Sequence, residues 1–281
     1  MRFLFMGMGT SVGVPQIGCD CPVCRSADPR DRRRRCGAYV RGRGASFLID
    51  APPDLREACL AYRVSQVDAV VLTHAHMDHV AGFDDLRRFN SINGERVACA
   101  PDEPGANGRS WRIVGKPMHC YAMEETAVQM RRIFPYVGTS PNAQGLFRPQ
   151  FDFVTDGTFM LGGMRLTRLA VEHGFPCCGY LIEERRETGG TARIGYVSDC
   201  HALPDETVER LRGVDVMVLN CLRLRPHPTH LDKTAALAYL ERISPRRAYI
   251  IHMCHDVGHA EWLEQLPAGV EPACDGLELE V

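Results

Sequence analysis

Apolar residues along the chain fall mostly into short runs bounded by glycine, proline or charged residues, which is the pattern of strands. The first run is Arg2–Met6, and a glycine loop, Gly7–Gly13, follows it. Further runs predict strands at Cys36–Val40, Ser46–Asp50, Asp68–Leu72, Met118–Ala122, Phe151–Val154, Phe159–Leu161, Met164–Ala170, Gly179–Glu183, Arg193–Val197, Val214–Leu219 and Arg246–Ile251.

Helix-length segments lie between several of these runs. They predict helices at Leu55–Tyr62, Val80–Phe89, Glu124–Phe134 and Asp232–Arg242. Two stretches rich in glycine, proline and asparagine, Ala100–Lys116 and Pro135–Gln150, predict loops. No repeat or linker divides the chain. We therefore expect a single domain over residues 1–281, with a loop-rich insertion around residues 100–150 that could cover a site.

Composition agrees with one globular domain. The 281 residues are 45% apolar and 24% charged, as in ordinary soluble proteins. No apolar run approaches the ~20 residues of a membrane span, and the start of the chain lacks a signal-peptide cleavage pattern. We therefore expect a cytoplasmic protein that does not enter membranes. A net charge of −2 and a pI near 6.6 leave no strong nucleic-acid footprint.

One short stretch, Asp28–Arg35, is strongly basic. It could attract a phosphate-bearing substrate by its positive charge. The reading we prefer is a solvated loop in which some of the arginines form ion pairs.

The strongest chemical signal is a His-x-His-x-Asp-His motif. Its members are His74, His76, Asp78 and His79, and they come directly after an apolar run that predicts a buried strand. Open α/β folds place their sites at the carboxyl ends of strands. Imidazole nitrogens and carboxylate oxygens suit zinc, iron and manganese. The motif therefore predicts a metal site.

A second cluster consists of thiols. Cys19, Cys21 and Cys24 form Cys-x-Cys-x-x-Cys, within a chain that has 13 cysteines. An odd number of cysteines without an export signal indicates reduced thiols and metal ligands rather than a disulfide framework. The three cysteines predict a structural zinc site that needs a fourth ligand, and the alternative is three unligated thiols.

The histidine motif resembles that of the metallo-β-lactamase superfamily of metal-dependent hydrolases, and the resemblance extends over nearly the whole chain. It implies an αββα sandwich, in which two mixed sheets lie face to face with helices on the outer faces. It also implies two metal ions in one site. Asp50 matches an aspartate-bearing turn of the superfamily and is expected to orient the histidine cluster from behind. Capping of the turn is the alternative role for Asp50.

The same resemblance implies a complete ligand set of zinc or manganese. The matching side chains are His74, His76 and His173 for one metal, Asp78, His79 and His252 for the other, and Asp199 as the bridge between them. Two cations about 3.5–4 Å apart can bind a bridging water and lower its pKa towards neutrality. The resulting hydroxide could attack phosphorus or a carbonyl carbon.

The cysteine block resembles the phosphoribosyl cyclic phosphate phosphodiesterase branch of the superfamily. In that branch the fourth zinc ligand is a histidine near the carboxyl end, which matches His255. A catalytic histidine of the branch matches His230, which could bind phosphate or protonate a leaving oxygen. His227 has no such match. Asp78 and His230 are our candidate catalytic residues, although metal binding would lower the basicity of Asp78.

We therefore expect a dinuclear metal-dependent hydrolase that acts on a small phosphodiester, cyclic or linear. The alternatives are an RNA-processing endonuclease, a thioester or lactone hydrolase, and a cofactor-biosynthesis protein of the same fold. Mild acidity and the lack of a candidate RNA-binding arm argue against a nucleic-acid partner. The full ligand set argues for catalysis. The sequence leaves a homodimer open, and the metal site alone does not choose between phosphorus and carbon.

Overall fold

Two mixed sheets form the centre of the computed structural model, which describes residues 1–103, 106–138 and 149–281. Strands and helices are numbered along the chain. Across the first sheet the strands of the described residues are β16 (Glu278–Glu280), β1 (Arg2–Gly7), β2 (Gly37–Gly42), β3 (Ala45–Ile49), β4 (Ala69–Val71), β7 (Met118–Tyr121) and β8 (Phe151–Val154). Neighbours are antiparallel from β16 to β3 and parallel from β3 to β8.

The second sheet repeats this division into two halves. Its strands, in spatial order, are β15 (Val270–Pro272), β14 (Arg247–Ile251), β13 (Val216–Asn220), β12 (Thr191–Val197), β11 (Cys178–Arg185), β10 (Met164–Ala170) and β9 (Thr158–Leu161). Neighbours from β9 to β12 are antiparallel, and those from β12 to β15 are parallel.

Apolar side chains alternate between the two faces of the first sheet, as the period of two in a strand requires. On β1, Phe3 and Phe5 belong to the core between the sheets, whereas Leu4 belongs to a separate core on the opposite face. The ring of Phe3 lies 6.0 Å from that of Tyr196 on β12, and the ring of Phe5 lies 5.6 Å from that of Tyr249 on β14. The two sheets are therefore packed directly on each other.

Helices cover the outer faces of the sandwich. They are α1 (Leu55–Ala61), α2 (Met77–Val80), α3 (Arg87–Ile92), α4 (Glu124–Ile133), α5 (Asp205–Leu211), α6 (Lys233–Ile243) and α7 (His259–Gln265). Met130 of α4 packs with Leu48 on the outside of the first sheet. Leu211 of α5 lies over Gly195 of the second sheet, where an added Cβ would come within 2.5 Å of it. The predicted αββα architecture is confirmed. None of these helices has the length and apolar character needed to cross a membrane.

The single helix predicted at Val80–Phe89 is wrong. The chain instead forms α2, a 3₁₀ turn at Phe83–Leu86, and then α3. Gly82 explains the break, because a Cβ there would lie 2.1 Å from the carbonyl oxygen of Pro52. Its N–H also donates to the carbonyl of Ala51 at 2.9 Å. This close backbone contact docks the motif segment on the turn that follows β3.

The loop predicted at Ala100–Lys116 contains a strand, β6 (Trp111–Val114). It pairs antiparallel with β5 (Glu95–Ala98) in a small exposed hairpin. Most of the loop predicted at Pro135–Gln150 falls on residues 139–148, which lie outside the described residues. The single domain and its insertion therefore stay a prediction.

The basic stretch Asp28–Arg35 is largely neutralised by internal ion pairs. The pairs are Arg30–Asp28, Arg33–Asp31, Arg34–Asp275 and Arg35–Asp54, with nitrogen–oxygen distances of 2.7 to 3.4 Å. The structure thus bears out the predicted ion pairs, but the prediction of a solvated loop is wrong for Asp31 and Arg33, which are buried.

Candidate metal centre

The predicted ligands reach one end of the sandwich because each follows a strand. The four members of the histidine motif come after β4, His173 after β10, Asp199 after β12 and His252 after β14. The structure gathers all of them into groups whose possible ligand atoms lie within 4.8 Å of one another. Residues up to 178 positions apart in sequence, from His74 to His252, therefore meet at a single centre.

One group contains His74, His76 and His173. Nε2 of His74 lies 2.9 Å from Nδ1 of His76, so these two atoms face the same point. Nδ1 of His173 lies 2.9 Å from the carbonyl oxygen of Thr229. Because a carbonyl can only accept a hydrogen bond, Nδ1 of His173 carries the proton and Nε2 is left as a ligand atom.

The other group contains Asp78, His79 and His252. Oδ2 of Asp78 lies 3.4 Å from Nε2 of His79 and 3.8 Å from Nε2 of His252. Asp199 lies between the groups: its Oδ2 is 3.2 Å from Nε2 of His79, and its Oδ1 is 3.1 Å from Nε2 of His252. Asp199 also groups with His74, so it is within reach of both clusters.

Asp50 organises both clusters from behind. Its buried carboxylate accepts hydrogen bonds from Nδ1 of His79 at 2.7 Å and from the N–H and hydroxyl of Thr73, both at 2.8 Å. The Thr73 hydroxyl lies in turn 2.9 Å from Nδ1 of His74. These acceptors place the ring protons of His74 and His79 on Nδ1 and leave Nε2 of each ring as the ligand atom.

The centre contains buried polar atoms that lack partners among the described residues. Nε2 of His79, Nε2 of His252 and Oδ2 of Asp199 are all buried, and their close approaches lack hydrogen-bond geometry. An unpartnered buried polar atom costs about 1–3 kcal/mol. All three face the same space, and nitrogen with carboxylate oxygen is a donor set for zinc or manganese. The residues present therefore fit two divalent cations.

The local electrostatics point the same way. Burial alone would raise the pKa of Asp199, but His252 and His79 hold it well below its ordinary value. Burial likewise opposes protonation of His79, yet Asp199 and Asp50 raise its pKa well above the usual range. Burial lowers the pKa of His74. A carboxylate kept ionised next to a crowded set of imidazoles is an arrangement that cations would stabilise.

A cavity of about 380 Å³ opens over the centre, and its lining adds Ser11, Phe175, Thr229 and His230 to the ligands. The ring of His230 stacks on His252 with a centroid distance of 4.6 Å, and its Nδ1 lies 3.7 Å from Oδ1 of Asp199. Burial lowers the pKa of His230 to about 3, so the imidazole is neutral at physiological pH. His230 thus lines this cavity next to two of the candidate ligands.

His227, the other histidine of this loop, has a local contact. Its Nδ1 accepts a hydrogen bond of 3.3 Å from the N–H of Thr229. Its ring centroid is 5.2 Å from that of His230. His227 therefore helps to shape the loop whose carbonyl orients His173.

The cysteine block also comes together with its predicted fourth ligand. Sγ of Cys19, Cys21 and Cys24 lie 3.2, 3.4 and 3.5 Å from Nδ1 of His255. The N–H of Cys24 donates to Sγ of Cys21, and this hydrogen bond lowers the pKa of Cys21 to about 6. The Cys21 thiol is thus already close to the thiolate form. Three sulfurs and one imidazole nitrogen fit a tetrahedral zinc ion.

Sequence reasoning missed several residues of the centre. Thr73 lies next to His74, but a threonine after a strand carries no signal by itself. Thr229 acts through its carbonyl, which no side-chain pattern can reveal. Phe175, whose ring lies 4.5 Å from that of His76, follows His173 by two residues and could have been noted as part of the same loop.

Comparison with known proteins finds relatives of this chain. Residues 46–253 match the family described as "Beta-lactamase superfamily domain". The chain is 34% identical to a crystal structure described as a new diphosphatase from the PhnP family, over 100% of this chain and 97% of that one, with a TM-score of 0.81. Zn²⁺-bound PqqB from Methylobacterium extorquens is 20% identical over the full length of both chains, with a TM-score of 0.73, and this likeness concerns the fold alone.

One curated relative is longer. The chain is 31% identical over 289 residues to an octanoyltransferase of Porphyromonas gingivalis, covering 99% of this chain but only 51% of that protein. The chain thus spans about half the length of that relative.

Proposed function

Because the chain belongs to the β-lactamase superfamily and resembles its PhnP branch, we propose that it is a dinuclear metal-dependent phosphodiesterase of small substrates. The observation that carries this proposal is that the seven candidate ligand side chains meet at the floor of a cavity. Several of their buried polar atoms have no hydrogen-bond partner there. The similarity to a protein described as a diphosphatase supports phosphorus rather than carbon as the electrophile.

The ligands divide as the distances suggest. We assign His74, His76 and His173 to one cation, Asp78, His79 and His252 to the other, and Asp199 to both. When bound, the two cations supply Lewis-acid charge and an activated water for attack on phosphorus. The protein orients the donors beforehand, through Asp50, Thr73 and the carbonyl of Thr229. Asp78 serves as a ligand in this assignment, and its closeness to two imidazoles leaves it few free lone pairs for proton transfer.

The charge of the cavity limits the substrate class. Among the described residues that line it there is no lysine or arginine. A chain of several phosphates, or a nucleic-acid backbone, would need cationic side chains beyond the metal centre. A phosphodiester carries one negative charge, which the centre itself can neutralise. The lining therefore supports a small diester with neutral substituents.

His230 is the group we assign to substrate contact. It lines the cavity beside Asp199 and His252 but is not needed to complete either set of ligands. A neutral imidazole presents one N–H, which can donate a hydrogen bond to a phosphoryl oxygen or to the leaving oxygen. A hydrogen bond to a charged oxygen contributes about 1.5–3 kcal/mol. We propose that His230 binds the phosphoryl group.

A hydrolysis panel tests the proposal. Protein reconstituted with Zn²⁺ or Mn²⁺ would be assayed on bis-p-nitrophenyl phosphate, 2′,3′-cyclic nucleotides, a lactone and a thioester. We expect turnover of the phosphodiesters, its loss in His252→Ala, and its retention in His119→Ala, a control histidine exposed on β7. Turnover of only the carbonyl substrates would reject the phosphodiesterase assignment.

Metal content provides an independent measurement. Protein purified without chelator should contain up to three metals per chain, with two in the active site and one zinc at Cys19, Cys21, Cys24 and His255. His252→Ala should lose one active-site metal and keep the zinc of the cysteine block. At most one metal per chain after careful reconstitution would contradict the dinuclear assignment.

A second candidate is hydrolysis of a thioester or ester. The similarity to the octanoyltransferase favours it, because that enzyme's name places it among proteins that handle acyl groups. Phe175 and the exposed Met77 would offer apolar surface near the centre to an acyl chain. The same panel separates the candidates, since a thioesterase would prefer the thioester over every phosphodiester by a large factor.

A further inference from the structure

The turn at His252 is strained. Its φ is 60°, in the left-handed region that a non-glycine side chain disfavours. Conformations of this kind are unfavourable for a non-glycine residue and persist only where the surrounding structure imposes them. His252 is also a ligand in the assignment above. The groups that hold this turn should therefore decide whether its imidazole faces the metal centre.

One side chain reaches this segment from a distant part of the sequence. Arg33 is fully buried, and its Nη1 donates to the carbonyl of Cys254 at 2.6 Å. Its Nη2 donates to the carbonyl of Val257 at 2.8 Å and to Oδ1 of Asp31 at 3.1 Å. The guanidinium therefore forms hydrogen bonds with the backbone carbonyls of the residues two and five positions after His252.

Asp31 extends the same contact. Its Oδ1 accepts a hydrogen bond of 2.7 Å from the N–H of His259 at the start of α7. The Arg33–Asp31 pair thus bonds to residues 254, 257 and 259, which follow the strained turn directly. His255, the histidine of the cysteine block, lies inside this span. One short segment therefore carries a ligand of each metal cluster.

The other contacts of this segment are single backbone hydrogen bonds, among them one of 3.0 Å from the N–H of Cys254 to the carbonyl of Leu222. The N–H of Met253 donates to the carbonyl of Met8, and the N–H of Thr10 donates to the carbonyl of Met253, both at 3.3 Å. Burying a guanidinium is unfavourable before any compensation, and an apolar contact could fill the same space without that penalty. A charged group with this directional set of donors is suited to fixing backbone geometry.

We propose that Arg33 is a positioning residue that, together with Asp31, holds the segment after His252. In this role it keeps the imidazole of His252 turned towards the cation assigned to Asp78, His79 and His252. It also links His252 to the cysteine cluster. This inference rests on the ligand role of His252 in the proposed function. Replacement of a group that orients a ligand typically weakens metal binding by about 10–100-fold. The effect should fall on one metal and not on the other.

Metal titration and hydrogen–deuterium exchange of the apoprotein test it, on Arg33→Met and on Arg32→Met, the exposed neighbour as control. In Arg33→Met, amides of residues 252–257 should exchange at least ~10-fold faster, and one of the two active-site Zn²⁺ affinities should fall by about 10–100-fold. Exchange of residues 70–80 and the other active-site Zn²⁺ affinity should match the wild type. Arg33→Lys keeps the charge but has fewer hydrogen-bond donors, so its exchange rates and Zn²⁺ affinity should lie between those of Arg33→Met and the wild type.

Two results would overturn the inference: unchanged binding of both active-site metals, or a uniform rise in exchange along the whole chain. If Arg33→Met does not fold, Asp31→Asn tests the inference, because it weakens the contacts of Asp31 with Arg33 and with the N–H of His259 without removing the guanidinium. Asp31→Asn should show smaller changes of the same kind in amide exchange at residues 252–257 and in Zn²⁺ affinity. Wild-type exchange and affinity in this variant would reject the proposal. Retention of both active-site metals by His252→Ala would instead refute the ligand assignment itself.

Discussion

The substitution Asp50→Asn isolates the charge behind the metal centre. Asp50 has a φ of 63°, and asparagine tolerates this left-handed conformation as aspartate does, whereas alanine would add strain. Asparagine also has nearly the same volume. It can still accept from the N–H of Thr73 through its carbonyl oxygen, but its amide group would then face Nδ1 of His79, which is a donor as well. Besides the acceptor of the Thr73 hydroxyl, which bonds to the same oxygen, the change therefore removes the acceptor of His79.

The expected size follows from this lost contact. A hydrogen bond to a buried carboxylate contributes about 1.5–3 kcal/mol, and about 1.4 kcal/mol corresponds to tenfold in binding. We therefore expect the cation assigned to His79 to bind about 10–100-fold more weakly, as is usual when a partner of a ligand is changed. The other cation is reached from Asp50 only through the Thr73 hydroxyl and His74, so its affinity should change by less than about tenfold.

The assay is competition titration of the apoprotein with Zn²⁺ against a chromophoric chelator, which resolves the two active-site affinities. Asp68→Asn is a matched control. Asp68 also accepts from the N–H and hydroxyl of one residue, Ser46, at 2.8 and 3.0 Å, but it contacts no histidine of the centre. It should change stability without changing metal affinity. Equal affinities in Asp50→Asn and wild type would refute the orienting role of Asp50.

Three further changes give distinct signatures. Cys21→Ser should lower thermal stability and the zinc content by one equivalent while folded protein keeps its active-site metals, as elemental analysis would show; loss of activity with unchanged stability and metal would mean that the thiols are catalytic. His230→Ala should lower kcat/KM by about 10–100-fold for p-nitrophenyl and alkyl diesters alike, with metal content unchanged, whereas a loss confined to the alkyl diesters would show proton donation to the leaving oxygen. Asp275 has its pKa raised to about 7 by burial, so the folded protein keeps a proton that the unfolded chain releases from about pH 4 upwards. This contribution to stability is fully present below about pH 4 and is lost as the pH rises through 7. Denaturant unfolding at pH 5 and pH 8 should show that Asp275→Asn flattens this part of the pH dependence, and an identical slope in the variant would contradict it.

Most central strands could be predicted from the sequence because both faces of these strands are buried or nearly so. Short apolar runs such as Val70–Leu72 allow few other readings. The edge strands β15 and β16 escaped prediction because each has only three residues and contains glutamate, so neither forms an apolar run. Helix α7 escaped because its apolar residues are too few to reveal a period. Gly82 broke a predicted helix through contact with Pro52, and such contacts depend on tertiary structure alone.

The candidate metal ligands could be predicted for a different reason. Six-residue spacing brought four of them together, and the resemblance supplied His173, Asp199 and His252 in strand-end positions that the structure gathers into one centre. The groups that orient these ligands have no such pattern. Thr73 and the carbonyl of Thr229 act through contacts that only the folded chain creates. Arg33 lay in a basic run that composition alone would assign to solvent.

The Arg33 contacts also bear on why a hydrolase would keep a cysteine cluster away from its reacting centre. Cys19, Cys21 and Cys24 belong to a loop near the start of the chain, and His255 lies only three residues after His252. A zinc ion at the cysteines would fix one point of the segment, and Arg33 fixes two more. Because the backbone conformation at His252 is intrinsically unfavourable, loss of either the zinc or the Arg33 hydrogen bonds should first change the orientation of that imidazole. We therefore expect the cysteine cluster to stabilise the position of His252 as well as the fold.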